Sequence, residues 1–126
     1  MKVQEGEVYH GELHIKEKLK VIFSSHIGKE NQISNVDLFE AVYGFDPSQT
    51  STFQREFFWN VLKKILRHMR KDEELFVIIG TISSYVLKTQ EEYGLFRKST
   101  NRHIHSLEVL KVKAKRWVDN KSWRAL

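Results

Sequence analysis

The sequence predicts a mainly α-helical fold with a small β-hairpin. Apolar residues recur at three- and four-residue steps in separate segments, as one buried helix face requires. A β-branched run at residues 75–79, a small-residue stretch and a second extended pattern at 85–88 read as two paired strands. Thr89 and Glu92 then form a capping box, with Thr89 accepting from the third helical amide and Glu92 reaching back.

Each element has its own signal. Residues 1–11 show neither period and read as an N-terminal arm. Residues 12–27 carry Leu13, Ile15, Leu19, Ile22, Phe23 and Ile27 as the stripe of a first helix, closed by Gly28. Residues 31–34 supply a brief strand. Ser34 or Asn35 caps a second helix bearing Val36, Leu38, Phe39 and Val42, which stops at Gly44, where a residue without a β-carbon takes the left-handed conformation. Residues 45–51 hold the one proline and several capping residues, hence a turn. The third helix, 52 to about 71, has a wide apolar stripe of Phe57, Phe58, Val61, Leu62, Ile65, Leu66 and Met69. Its other side is cationic. From Tyr93 the positions Phe96, Thr100, His103, Leu107, Leu110, Ala114 and Trp117 alternate three and four apart, which predicts one long C-terminal helix with a seam. That seam needs a partner, either a second copy of the chain or the chain's own core. A homodimer through the C-terminal helix is the expectation, isologous pairs being the commonest assemblies.

With 126 residues the chain has room for one domain, and 40% apolar side chains suffice for one core. The expected organisation is an arm at 1–11, a domain at 12–88, and a helix with basic tail at 89–126 that belongs to the same domain or dimerises it. The absence of Cys removes disulfides, thiol catalysis and thiolate metal sites, and fits a reducing compartment; cytoplasmic is the expected location. No stretch approaches the roughly 20 apolar residues of a bilayer span, so no membrane partner is expected.

Catalysis has little to stand on. His10 and His14 straddle Gly11, His103 and His105 fall on different helix faces, and Glu73 and Glu74 sit in a charged turn. No phosphate loop or nucleophile elbow is present. A non-enzyme without cofactor or metal is the reading.

Charge is more informative. Residues 97–126 carry nine Lys+Arg against two acids, and the third helix offers Lys63, Lys64, Arg67, Arg70 and Lys71. These suit phosphate neutralisation, with dipole complementation and a wet outer face as the plainer account of the helix cations. Near the helix start, Ser48, Gln49, Thr50, Ser51, Gln54 and Arg55 carry groups that pair with base edges, and the same groups serve as turn and cap chemistry. In the tail, Arg102, Lys111, Lys113, Lys115, Arg116, Lys121 and Arg124 accompany Trp117 and Trp123, a mixture suited to polyanions or to a solvated helix face. Trp59 is either an interface anchor or a core margin; Tyr85 either packs or touches a sugar-phosphate backbone, with packing preferred.

Three helices, the second short, followed by a hairpin is the chain order of a winged helix-turn-helix domain. Residues 75–92, from Leu75-Phe76-Val77-Ile78-Ile79-Gly80 through Ser84-Tyr85 to Glu91-Glu92, resemble the wing and wing-to-helix junction of small winged-helix proteins of phages and mobile elements. The likeness spans residues 13–120, with Ser84 where the family usually has glycine. It implies non-catalytic duplex-DNA binding, with Gln49, Thr50, Gln54 and Arg55 approaching bases and Lys63, Lys64, Arg67 and Arg116 holding phosphates. Against it, residues 36–56 carry four acids and one base. Asp37, Glu40 and Asp46 would equally steer a basic protein partner, so the alternative is an interaction module or inhibitor that docks on a nucleic-acid-handling protein.

Overall fold

The computed structural model describes the backbone of residues 3–99 and 105–126, and side chains at 12–98 and 108–126. It is mainly helical with a small three-stranded antiparallel sheet. The order is α1 (Val3–Phe23), β1 (Ile33–Ser34), α2 (Asn35–Tyr43), α3 (Thr52–Lys71), β2 (Val77–Ile79), β3 (Ser83–Val86), α4 (Gln90–Ser99) and α5 (His105–Asp119).

The helix starts follow their caps. Ser34 accepts from the Asp37 amide and Ser51 from the Gln54 amide, so each hydroxyl satisfies an orphan donor of the first turn. Gly44 closes α2 in the left-handed conformation, as expected. The α1 boundaries differ from the sequence reading at both ends. Its backbone is helical from Val3 and not from residue 12, because apolar period reports burial, whereas Glu and Gln are sound helix formers without it. It ends at Phe23 and not at Ile27, because β3 takes the following backbone: Val86 N donates to His26 O (2.9 Å) and Gly28 N to Val86 O (2.8 Å).

The sheet order is β1-β3-β2, with Ile33 opposite Ser84 and Ile78 opposite Tyr85. β3 begins two residues before the expected start at Tyr85. Polar Ser83 and Ser84 enter the ladder because their hydroxyls have acceptors, Gln32 Oε1 (2.6 Å) and Asn35 Oδ1 (2.8 Å). The turn is thereby shortened to Gly80, Thr81 and Ile82. A β-carbon on Gly80 would stand 2.6 Å from the Ser83 carbonyl oxygen, a backbone atom with nowhere to go. Gly80→Ala is therefore expected to cost about 1–3 kcal/mol in a urea melt; an unchanged midpoint would refute this steric account.

The single long C-terminal helix is corrected to two. Gln90 Nε2 donates to Asp119 Oδ1 at 2.6 Å, whereas a continuous helix would hold these residues about 43 Å apart. Helices α4 and α5 pack on each other, and the seam turns inward. Phe96, Ala114 and Trp117 join the core, Phe76 sits edge-on to Phe96 (5.6 Å), and Trp117 Nε1 donates to Leu87 O (2.8 Å). Thr100, Arg102 and His103 lie outside the described residues, and the side chains of His10, His105 and Leu107 outside the described side chains. Among the described residues no helix is long and apolar enough to cross a membrane.

One core binds these elements, running from Leu19 and Phe23 through Leu38, Leu62, Leu66 and Phe76 to Val118. Phe57, expected within it, is 55% exposed, and Phe53 is 78% exposed. The α3 stripe is narrower than the sequence suggested, since Phe58, Tyr43, Phe45 and Phe39 already fill the space under the α2–α3 turn. Within that cluster the Tyr43 hydroxyl donates to Phe58 O (2.8 Å), and burial pushes its pKa from 10.0 up to about 12. The native state holds this proton more tightly than the unfolded chain does. The contribution is therefore complete below pH 10 and is lost as pH rises toward about 12. Thermal melts should show a steeper alkaline decline for the native chain than for Tyr43→Phe; parallel declines would refute it.

Candidate nucleic-acid interface

The cations named from sequence fall into two groups once they are placed. On α5 they are paired. Arg116 donates from Nε and Nη2 to both oxygens of Glu73 (2.8 and 2.9 Å), Lys115 contacts Asp119 (3.0 Å), and Lys111 lies 3.4 Å from Glu108. Lys113 Nζ donates to Lys71 O, capping the end of α3. The Arg116 guanidinium holds the Glu73 carboxyl below the usual carboxylate range, and Lys115, then Gln90, do the same for Asp119. These basic groups are engaged in fastening α5. Lys88 and Arg124 lie over the ring of Trp123, at 5.1 and 5.4 Å.

On α3 the situation is reversed. Lys63, Arg67 and Arg70 recur at four- and three-residue steps, so they line one flank over about 10 Å. They form one wall of an open cleft of about 480 Å³. The facing wall is β2 and its turn, with Ile78, Ile79, Gly80 and Thr81. No acid lines this cleft, and no described carboxylate lies within ion-pair distance of Lys63, Arg67 or Arg70. Arg70 lies over the Phe76 ring at 5.5 Å. Its pKa is lowered, first by burial and then by the charge of Arg67. Among the described residues these like charges are thus held together without a carboxylate in ion-pair distance, an arrangement that an anion relieves.

The opposite wall is fixed from α2. Asn35 donates from its backbone N–H to Ile82 O (2.7 Å) and from Nδ2 to the carbonyls of Gly80 (3.0 Å) and Thr81 (3.3 Å). Its Oδ1 accepts from Ser84, which is fully buried. Sequence reading found Asn35 only as a candidate cap. The small-residue turn that faces the cations was legible, but no local pattern reveals that α3 and this turn share a cleft.

Below the cleft a second concavity of about 280 Å³ continues along the same flank of α3. Val36, Phe39 and Pro47 form its apolar surface, and it shares Asn35 and Trp59 with the cleft. Arg55 lies here, its guanidinium donating to Pro47 O and Thr52 Oγ1 (both 3.3 Å).

The remaining candidates are dispersed. Gln49 and Gln54 are exposed, while the Thr50 hydroxyl is bonded to Pro47 O (2.9 Å). Lys64 is exposed on α3 but does not line the cleft. Tyr85 is buried. Asp37 and Glu40 are exposed on α2, and the Asp46 carboxyl, held below its usual range by the Ser48 amide and hydroxyl, serves as a cap. Among the described residues no cluster of His, Asp and Glu could hold a metal ion. Comparison of the chain with protein-family models, with curated proteins and with solved structures finds no match.

Proposed function

We propose that this chain is a winged helix-turn-helix domain that binds duplex DNA without catalysis, and that the cleft between α3 and the β2–β3 turn receives the phosphate backbone. The observation that carries the reading is the row Lys63, Arg67 and Arg70, gathered on one flank with no acid among them. The element order and the β1-β3-β2 sheet support the winged-helix part of it. Phosphate contacts of this kind give position and affinity; Gln49 and Gln54, exposed at the approach to α3, are the side chains left for bases. Thr50 and Arg55 are tied into the turn, and Arg116 into Glu73, so their part in binding is secondary.

The test is binding of the purified chain to random duplex DNA across salt concentrations. Three neutralised phosphates give a slope of roughly −2.7 in log K against log salt. A flat response, or no binding at low salt, would overturn the reading. It would favour the second one, a protein-docking module, for which the specific observation is exposed Val36 beside the exposed acids Asp37 and Glu40 on α2.

A further inference from the structure

The groove along α3 changes character at Trp59. On one side lie Lys63, Arg67 and Arg70; on the other, the apolar surface of Val36 and Pro47. Trp59, half-buried against the core, and Asn35 line both halves, so the two hollows adjoin at these side chains. An unbroken duplex has phosphates for the first half but no free apolar surface for the second, because its bases are stacked inside. A cationic track that leads to an aromatic ring is instead the recognition chemistry of unpaired nucleotides, whose bases stack on the ring while their phosphates stay on the cations.

The charges restrict this further. Glu56 lines the apolar half beside Arg55, whose guanidinium is held by Pro47 O and Thr52 Oγ1, and Glu40 stands one helical turn from Val36 on α2, so two acids face one base already engaged in the turn. A strand running through would carry its next phosphate toward these carboxylates. A strand that ends there would not. At about 280 Å³ the apolar half is also small beside the roughly 300–1,000 Å³ of ordinary ligand pockets. We infer that the groove takes the single-stranded end of a duplex, with the terminal base stacked on Trp59 in the apolar half and the adjoining phosphates on Lys63, Arg67 and Arg70. This rests on the duplex-binding reading and adds to it a preference for tailed over blunt DNA.

The experiment compares a blunt random duplex with the same duplex carrying a short overhang, of either polarity, by fluorescence anisotropy. The tailed duplex should bind about tenfold more tightly, within the range expected for one stacked base. Trp59→Leu should bring the ratio of tailed to blunt affinity to about one, and Trp59→Phe should restore part of the preference. Val36→Glu, at a side chain 55% exposed and so outside the core, should abolish it independently. Equal affinity of the native chain for both duplexes overturns the strand-end inference and leaves the duplex reading standing. Binding of neither DNA at low salt overturns both, and capture of an acidic, apolar peptide by the same groove in place of DNA does the same.

Discussion

Replacing Lys63 and Arg67 together by alanine is expected to cut affinity for random duplex DNA roughly 60-fold at about 0.1 M salt, because each phosphate contact adds a slope of about −0.9 to log K against log salt. The slope itself should shrink from roughly −2.7 to roughly −0.9, leaving only Arg70. Neither side chain belongs to the buried core, so the fold should survive, and a melt would verify that. Arg116→Ala is the discriminating control. Its charge is already matched by Glu73 through two hydrogen bonds, so both affinity and slope should hold nearly constant. Equal slope losses in the two variants would mean that the α5 cations face the polyanion as well, and that the division between paired and unpaired cations carries no functional weight.

The largest loss of stability is expected from Glu92. Its carboxylate is nearly buried and accepts backbone N–H groups from Lys29 (2.9 Å), Lys88 (2.9 Å) and Thr89 (3.3 Å). It joins the turn after α1, the end of the β3 segment and the start of α4. Hydrogen bonds to a charged acceptor are among the stronger ones, and deleting the acceptor strands several inward-facing donors. Glu92→Ala should therefore cost about 3–5 kcal/mol, or roughly 10–20 °C in melting temperature. Glu92→Gln, which keeps one acceptor oxygen, should lose about half as much. A melt within about 2 °C of the native chain for the alanine variant would show that water takes over these amides.

Much of the architecture was written locally. Ser34, Ser51 and Thr89 each accept from a first-turn amide as their positions suggested, and Thr52–Lys71 matches the periodic stretch that predicted it. The errors arose wherever a distant segment decides. Residues 24–28 leave the helical path because β3 claims their carbonyl and amide groups, and β3 lies some sixty residues away. The heptad-like seam scored as one helix because periodicity cannot register a reversal between two helices of matching phase. Phe57 stands exposed although its period points inward, because hydrophobicity specifies a wish for cover, not a supply of it.

The candidate site divides along the same line. Lys63 and Arg67 could be listed from the third helix alone. Their separation from the described acids is a tertiary fact, and the matching of Arg116 with Glu73 and of Lys113 with Lys71 O joins pairs 43 and 42 residues apart. Composition therefore counted nine cations in the tail as available, when its principal members are already bound within the protein.

The lodging of Trp117 in the core against Phe76 and Leu87 has a practical corollary for anyone wishing to shorten this polypeptide. Its indole closes over Phe76 and holds the Leu87 carbonyl. A fragment stopping at residue 88 would leave an unfilled socket, turn the Phe76 ring and Leu87 toward water and forfeit the hydrogen bond as well. The final stretch is thus the keystone of the interior, and pruning it would dismantle the scaffold on which the α3 flank is mounted.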